Sequence, residues 1–578
     1  MLSFITGGTN KTIEYDYLIA IDFGTTYSGF EVMSLNKLEP KAVDLFNHTK
    51  CCKTDWKFKY MESALLYSPT RRALVKYGKE ADGYRRRYPN YGYDYVSKVK
   101  LHLDGFIEEK DLPPLPSDKT PLTIIADFLR KMYKDINNDI YKVYPKYYTS
   151  KYRYCLTVPA MWTNESRDLM RKAAVKAGLI SEHDDPKRLL FVDEAMAAAL
   201  YAERNTSGPK LTDGQSYMIC DAGGGTVDIA VLEKNALSEK TCYKEITIGT
   251  GRSCGSTFLD KRFKVLMEKS LHKHPEYTEA DIEPALDEFI NTIKRYFGDS
   301  ICNLRPEMSE ICDGAHQNPT FADKFSYDEI RKEVFDPVVN EVISTIETQF
   351  AQLGERKLDA MFITGGFGSS PYLQHRIKET FKDRVKHFEV VRFGTMAVMK
   401  GALLYGIDQS IVINHVSRRT YGIMLCEPSH AFDEPRSWSN RFDVCITKGD
   451  PIKRDRWISR TLDLEKNHYT AISLFAYDGD DPIPEYPTEK MAHLVAVYNI
   501  KFSIKDRSVS NKNLVIDMWF GLDRIEVKAE FVDHQFRYKT VSDVSGKVTE
   551  LPFLSLKPVI DKTSSDDYLT QSLFGSLP

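Results

Sequence analysis

The chain has 578 residues, with 42% hydrophobic and 28% charged residues, as in an ordinary globular protein of several domains. Its formal net charge of -3 argues against nucleic acid as a partner, because nucleic-acid-binding domains are usually basic. No apolar run approaches the roughly 20 residues that a membrane span needs, and the N-terminus lacks the pattern of a signal peptide. The 10 cysteines contain no CxxC pair. These features predict a cytoplasmic protein with no membrane partner and no zinc site.

Two Gly- and Thr-rich loops follow the same local pattern in distant parts of the chain. An apolar segment at residues 17–21 runs into the loop 22–26 (DFGTT), and another apolar segment follows at 27–32. The same order recurs at residues 217–220, at the loop 221–226 (DAGGGT) and at 227–232. Each copy predicts a β-hairpin with a Gly-rich tip. Two copies predict two similar lobes that face each other.

Strand and helix patterns alternate through the rest of the first four hundred or so residues. They predict strands at 154–158, 189–192 and 360–364, and helices at 120–138, 164–177, 195–202, 282–297, 327–350, 371–381 and 396–405. Most of the Tyr-rich region 51–150 fits no clear pattern. Alternation of apolar and polar residues predicts further strands at 500–504 and 525–531. We therefore predict an α/β domain over 17–408, a separate β-rich domain over 409–550 and a tail over 551–578.

The two loops have the chemistry of a phosphate site. Glycine lets backbone N–H groups approach phosphate oxygens without a Cβ clash, and threonine hydroxyls add donors. The leading Asp22 and Asp221 cannot bind phosphate, but they can orient the waters of a Mg²⁺ or position an attacking water. One such loop would fit a purely structural hairpin equally well, whereas two Asp-led copies favour a bound nucleotide.

Further segments match, in chain order, the seventy-kilodalton heat-shock chaperone family. The two loops resemble that family's phosphate loops, VPAMWTN at 158–164 resembles its first connecting segment, and DEAMAAA at 193–199 resembles its alanine-rich helix start. TGGFGSSP at 364–371 resembles its adenosine loop, and residues 394–401 resemble its second connecting helix. The chain looks most like the divergent twelve-type branch, within the actin, sugar-kinase and chaperone ATPase superfamily. The resemblance implies an α/β, two-lobed, actin-like (ribonuclease H-like) ATPase domain, followed by a β-rich domain similar to a lidless substrate-binding domain.

The resemblance also implies ATP or ADP and Mg²⁺ as ligands. Asp22, Asp221 and Glu194 would order the Mg²⁺ shell, mostly through water, and Asp228 would assist the attacking water. The residues that would contact the phosphates are Gly24, Thr25, Thr26, Tyr27, Gly223, Gly224, Gly225 and Thr226. Those that would border the base and ribose are Lys294, Arg295, Gly365, Gly366 and Ser370. For Lys294 and Arg295, a solvent-facing helix edge is the alternative.

A lysine in the segment KVKLHL at 98–103 would match the family's catalytic lysine. Lys100 is favoured over Lys98, because the Leu-x-Leu that follows Lys100 suits the family's helix. A solvated surface charge is the alternative for either residue. The base end departs from the family, with Ser369 in place of an arginine and Asn291 in place of a glutamate. The phosphate end therefore matches the family more closely than the base end.

Four functions remain open from the sequence, of which actin-like polymerisation has the least support. The favoured one is a chaperone-like, slow Mg-ATPase whose partners are nucleotide and unfolded or peptide clients, bound through residues 409–550. A nucleotide-gated binding module with negligible hydrolysis is the first alternative, suggested by the missing arginine. A small-molecule (sugar) kinase on the same scaffold is the second, and the β-rich C-terminal third argues against it.

Overall fold

The structure is a computed structural model of the chain. It describes residues 15–35, 59–70, 73–105, 107–109, 112–143, 148–208, 210–237, 240–298, 321–428, 438–454, 456–463, 471–479, 482–483, 492–499, 513–521, 524–531, 537–543 and 548–550. Among these residues, no helix combines the length and the apolar character that a membrane span requires.

The described residues among the first two hundred or so form one mixed sheet, one small antiparallel sheet and four helices. The elements are β1 Tyr17–Asp22, β2 Tyr27–Ser34, β3 Lys59–Glu62, β4 Ala64–Tyr67, β5 Leu74–Tyr77, α1 Lys79–Arg87, β6 Asp94–Ser97, α2 Pro121–Val143, β7 Tyr152–Val158, α3 Asn164–Ala177, β8 Leu189–Asp193 and α4 Glu194–Ala202. Strands pair in the order β3-β2-β1-β7-β8 in sheet 1, and β4 pairs with β5 and β6 in the small sheet.

The next two hundred or so residues build a second mixed sheet with its own helices. The elements are β9 Ser216–Ala222, β10 Val227–Leu237, β11 Lys240–Glu245, β12 Thr250–Arg252, α5 Thr257–Ser270, α6 Ile282–Glu288, α7 Tyr327–Ile330, α8 Asp336–Leu353, β13 Ala360–Thr364, α9 Pro371–Phe381, β14 Phe388–Val390 and α10 Ala397–Ile407. In sheet 2, as in sheet 1, an antiparallel hairpin (β9–β10 here, β1–β2 there) lies beside parallel strands. The predicted repeat of two hairpins is confirmed.

The remaining described strands follow α10. They are β15 Val412–Val416, β16 Thr420–Pro428, β17 Trp438–Ile446, β18 Pro451–Lys453, β19 Ile458–Asp463, β20 Ala471–Tyr477, β21 Ala492–Asn499, β22 Asn513–Phe520, β23 Arg524–Phe531, β24 Arg537–Asp543 and β25 Val548–Glu550. Nine of these form a four-stranded and a five-stranded antiparallel sheet, in the orders β17-β16-β20-β21 and β19-β22-β23-β24-β25. β15 and β18 instead extend sheet 2, since β15 pairs in parallel with β11. Sheet 2 therefore continues past residue 408, where we placed the domain boundary.

Both faces of sheet 1 are covered, which explains why β1 is a continuous apolar run. Ile19 and Ile21 pack into a core with helix α2, whereas Leu18 and Ala20 pack into a core with α4 and α10. The same second core also takes residues of β9, β10 and β13, so α4 and α10 lie between the two sheets. These helices cross closely, because a Cβ at Gly401 would overlap the backbone carbonyl of Ala197.

The predicted helices at 164–177 and 371–381 are confirmed with the same bounds, and the one at 120–138 extends to Val143. The helix at 195–202 starts one residue earlier, and the one predicted at 396–405 is α10. The helices predicted at 282–297 and 327–350 are each interrupted by one π-helical turn, at Phe289–Ile293 and Arg331–Phe335. A π-turn keeps the apolar period nearly intact, so the sequence pattern does not reveal it. Residues 500–504 and 551–578 lie outside the described residues.

Candidate functional site

The two Gly/Thr loops meet face to face where β1 and β9 end. A Cβ at Gly224 would overlap the Thr26 hydroxyl, and a Cβ at Gly225 would overlap the Thr25 hydroxyl. Only glycine allows this approach at the second loop. The buried Oγ1 of Thr26 has no hydrogen-bond partner within the described part of the chain. An unpaired buried hydroxyl beside a Gly-rich loop can donate a hydrogen bond to an external acceptor such as a phosphate oxygen.

Four buried acids surround the loops. Asp22 ends β1, Asp221 lies near the end of β9, and Asp228 faces Asp221 across the β9–β10 pair. Glu194 is the first residue of α4, directly after β8. Each of these four side chains lies on a residue that is less than a tenth exposed. Sequence-distant strand ends thus bring together the four acids that the sequence singled out.

Lys100 supplies positive charge to this acidic cluster. It lies on the short 3-10 turn Val99–Leu103, is 3% exposed and forms an ion pair with Glu194. Its ammonium group also lies 5.7 Å from the centre of the Trp162 ring. The Lys98 side chain is influenced instead by the charges of Asp260 and Lys294, which lie outside the acid cluster. Of the two lysines left open by the sequence, the structure brings Lys100 to the acids.

Burial makes these acids hold protons more strongly than usual. Burial, together with the charges of Asp228 and Asp22, raises the pKa of Asp221 to about 8. Burial raises the pKa of Asp228 to about 6, although the Ala160 N–H donates to its Oδ1 at 2.8 Å. Burial also raises the pKa values of Asp22 and Glu194, and the charge of Lys100 opposes both rises. When ionised, the four acids carry more negative charge than one lysine can balance, so a bound cation would favour their ionised forms.

The residues present fit a Mg²⁺ that is held through water. The Oδ2 of Asp228 is buried and lacks a hydrogen-bond partner among the described residues. Carboxylate oxygens are the ligands that Mg²⁺ prefers, and the ion usually keeps several of its waters. In the described ranges, no three acidic, His or Cys side chains are close enough to ligate one ion directly. As the family resemblance implies, the acids would reach the ion mostly through its water shell.

Tyr60 is a site residue that the sequence did not indicate. Its hydroxyl lies 3.2 Å from Asp22 Oδ2 and also contacts the Thr395 carbonyl in the 3-10 turn that precedes α10. Thr157 donates to the other Asp22 oxygen at 3.1 Å. Two hydroxyls thus fix the orientation of the Asp22 carboxylate. Tyr60 lies in β3, inside the Tyr-rich region that showed no clear pattern, so no sequence signal distinguished it from its neighbours.

The residues predicted at the base end differ from one another in what they contact. Gly365 has a positive φ of 85°, and a Cβ there would lie 2.8 Å from Asp221 Oδ1, so this loop adjoins the acids. The Ser370 side chain accepts a hydrogen bond from the Leu373 N–H and caps α9. Lys294 forms an ion pair with Asp260 at 2.6 Å instead of facing an open pocket. Gly366 and Arg295 are exposed.

A second buried charge cluster lies next to Glu194. Asp193 accepts from Arg167 at 2.6 Å and from Arg418 at 2.8 Å, and Arg418 also donates to Glu245 at 2.8 Å. Arg418 lies between β15 and β16, beyond the predicted boundary at residue 408. The C-terminal part of the chain therefore contacts the residue that precedes Glu194. The sequence did not indicate this contact, because no local pattern in the segment SRRTYGI at 417–423 points to a partner as distant in the chain as Asp193.

Comparisons with known proteins relate the chain to one protein family. A family model described as Hsp70 protein matches residues 115–434, more than half of the chain. Heat shock 70 kDa protein 12A of Homo sapiens is 23% identical over 494 residues, which cover 70% of this chain and 71% of that protein. Heat shock 70 kDa protein 12B of Homo sapiens is 24% identical over 495 residues, with 71% of each chain covered. Chaperone protein DnaK of Thermosipho melanesiensis is 23% identical over 489 residues, or 81% of this chain and 71% of that protein.

Proposed function

The chain belongs to the Hsp70 family, in its divergent 12-type branch, and from that premise we propose that it is a slow Mg-ATPase of the chaperone type. In this proposal, the two mixed sheets are the lobes of an actin-like domain, and the nucleotide lies between loops 22–26 and 221–226. The place of action is the cytoplasm, where the buried thiols of residues such as Cys155 and Cys220 would stay reduced.

The single observation that carries the proposal is the buried cluster of four acids around Lys100. Keeping four carboxyl groups out of water is costly, and it raises the pKa of Asp221 to about 8. A purely structural role would not require such an arrangement, since apolar residues would pack there at a lower cost. Perturbed acids of this kind, beside loops shaped for phosphate, are typical of a catalytic site.

The roles of the side chains follow from their positions. Backbone N–H groups of the loops and the Thr25 and Thr26 hydroxyls would hold the β- and γ-phosphates. Lys100 would place a positive charge beside the transferred phosphoryl group. A bound Mg²⁺ would supply charge neutralisation at the phosphate oxygens. Asp22 and Asp221 would orient its waters, with Tyr60 and Thr157 fixing the Asp22 carboxylate.

Hydrolysis would be an in-line displacement at the γ-phosphorus. The oxygen of a water molecule would form the new P–O bond as the bond to the β,γ-bridging oxygen breaks and ADP leaves. Glu194 and Asp228 would orient that water and accept its proton. Arg418 pairs with Asp193, and Glu194 follows Asp193 directly in the chain. Movement of Glu194 on closure of the cleft would therefore be transmitted through this ion pair to the C-terminal sheets. Those sheets would hold the unfolded or peptide client.

The test is phosphate release from Mg-ATP by the purified full-length chain. We expect slow release that Asp221→Asn abolishes and that Asp383→Ala, a change at an exposed acid, leaves unchanged. Binding of Mg-ATP without release would contradict the ATPase proposal and favour the nucleotide-gated module. ADP formation that depends on an added sugar would favour the kinase.

A further inference from the structure

Three consecutive carbonyl oxygens of the second Gly/Thr loop are held from outside the loop. The donors are the N–H groups of the residues that lead into α5. At 2.8 to 3.1 Å, these bonds join Gly255 to Gly225, Ser256 to Gly223 and Thr257 to Gly224. The carbonyl and the N–H of a trans peptide point in opposite directions, so the N–H groups that follow these carbonyls point away from α5. Backbone N–H groups whose direction is fixed in advance bind an anion without a further ordering cost.

The first Gly/Thr loop is held in the same way by Ser63, which lies between β3 and β4. The Ser63 N–H donates to the Thr26 carbonyl at 2.8 Å, and the Ser63 hydroxyl donates to the Gly24 carbonyl at 2.6 Å. By the same geometry of the trans peptide, the N–H groups of Thr25 and Tyr27 point away from Ser63. One residue outside the loop thus sets the direction of two of its peptide groups.

Ser28 supports the Ser63 hydroxyl from strand β2. The two hydroxyl oxygens lie 2.7 Å apart, and the two residues are 0% and 4% exposed. A hydroxyl has one proton to donate, and Ser63 uses its proton in the bond to Gly24. Ser28 is therefore the donor in the pair, and its own separation of 3.5 Å from the Gly24 oxygen is too long for a strong bond. Ser28 thus acts on the loop through Ser63.

The peptide that follows Gly24 needs such a hold because glycine is the residue with the most backbone freedom. Glycine is required here, since a Cβ at Gly24 would lie 2.1 Å from the Tyr27 carbonyl oxygen. Without the Ser63 hydroxyl, the Gly24 carbonyl loses the partner that fixes its direction. The peptide can then rotate, and a carbonyl oxygen turned toward a phosphate repels it where the Thr25 N–H would attract it.

We propose that Ser63 is a positioning residue of the phosphate site, which acts by fixing the first Gly/Thr loop with its N–H groups toward the phosphates. The inference rests on the proposed function, because the ligand is the Mg-nucleotide proposed for this cleft. It goes further by assigning a role to a residue outside both loops. Ser63 and Tyr60, which contacts Asp22, are three residues apart, so β3 and its end orient both the loop and its leading acid.

The experiment is calorimetric titration of the full-length chain with Mg-ATP, together with urea unfolding of the nucleotide-free chain. Ser63→Ala removes the hydroxyl and keeps the N–H bond to Thr26. We expect this variant to raise the Kd of Mg-ATP about tenfold, the factor that corresponds to one good hydrogen bond. A serine with a merely structural role would lower stability and leave the Kd unchanged, and that result would overturn the inference. If the wild-type chain does not bind Mg-ATP, the proposed function fails and the inference fails with it.

Ser63→Thr and Ser68→Ala complete this test. Ser63→Thr keeps the hydroxyl and should bring the Kd back to within about threefold of the wild type. Ser68→Ala is the matched control, because the Ser68 hydroxyl lies 3.3 Å from that of Thr70 and serves neither loop. It should leave the Kd unchanged. A rise in Kd for Ser68→Ala equal to that for Ser63→Ala would overturn the inference.

A double-mutant cycle of Ser28 and Ser63 tests the direction of the support without relying on Ser63→Thr. Ser28→Ala should raise the Kd of Mg-ATP about threefold, because the Ser63 hydroxyl then loses its donor. The double variant should have the Kd of Ser63→Ala alone, since Ser28 acts through Ser63. Two effects that multiply in the double variant would show that the serines act independently and would overturn the inference.

Discussion

Replacing Lys100 by methionine removes the positive charge that Glu194 faces and keeps most of the apolar volume of the side chain. Lys100 and Glu194 are 3% and 8% exposed at their side chains, so solvent screens their interaction very little. In the variant, Glu194 either stays charged without its partner or takes up a proton. Both outcomes lower the free energy of unfolding, and pH decides which of the two lowers it less.

The magnitude follows from the burial of this pair. Breaking a buried ion pair by removing one partner costs about 3–5 kcal/mol when the other charge stays unpaired. The folded-state pKa of Glu194 already lies well above its ordinary value, and loss of Lys100 raises it further. A raised carboxyl pKa contributes stability at low pH that is lost as pH rises. The deficit of the variant should therefore be smaller at pH 5, where Glu194 can take up a proton, than at pH 8, where it approaches about 3–5 kcal/mol, and it should grow by at most about 1.4 kcal/mol per pH unit.

The assay is urea unfolding of the nucleotide-free protein at pH 5 and pH 8, followed by circular dichroism. Lys98→Met is the matched control, because burial lowers the pKa of Lys98 and disfavours its charged form. Its removal should leave the free energy of unfolding unchanged or raise it slightly. An equal deficit of Lys100→Met at both pH values, or a larger loss in Lys98→Met, would refute the assignment of Lys100 to the acid cluster.

Three further predictions concern the site and its frame. Burial raises the pKa of Asp221 to about 8, so Mg²⁺ must displace a proton from this group when it binds. The affinity for Mg-ATP, measured by calorimetry, should therefore rise by up to about tenfold per pH unit from pH 6 to 8. An affinity that does not change with pH would contradict this. Tyr60→Phe removes a hydroxyl that orients a carboxylate and should raise the Kd of Mg-ATP about tenfold, with phosphate release as the second readout. Gly401→Ala would force a methyl group onto the Ala197 carbonyl and should lower the free energy of unfolding by about 3 kcal/mol or more. Gly83→Ala, in α1 with open space around it, is its control and should stabilise by up to about 1 kcal/mol.

Local patterns predicted the elements that are defined by local contacts. The two hairpins and the helices at 164–177 and 371–381 follow from apolar period and capping residues, and the structure has them. The convergence of the two Asp-led loops followed from their repetition together with the family resemblance. Such features depend on residues within a few positions of one another, which is the range that a single sequence reveals.

Features that depend on distant partners could not be predicted in this way. β15 reads as a plain apolar segment, and only its parallel pairing with β11 shows that sheet 2 continues past residue 408. Tyr60 is one tyrosine among many until folding brings it to Asp22. Lys294 has a helical position that would suit a base, but its distance to Asp260 decides its partner. In each case the deciding contact spans more than thirty residues of chain, and no local period encodes it.

The central claim is that the acid cluster and the two loops form one Mg-nucleotide site, and calorimetric titration with ATP in the presence and absence of Mg²⁺ tests it most directly. The account predicts one binding site per chain for Mg-ATP, with affinity that falls about 10- to 100-fold when Mg²⁺ is chelated. Asp221→Asn should cause a loss of the same order at saturating Mg²⁺, because the carboxylate that orders the ion's waters is gone. Equal affinity for ATP with and without Mg²⁺, or Mg-ATP binding that Asp221→Asn leaves unchanged, would contradict the account.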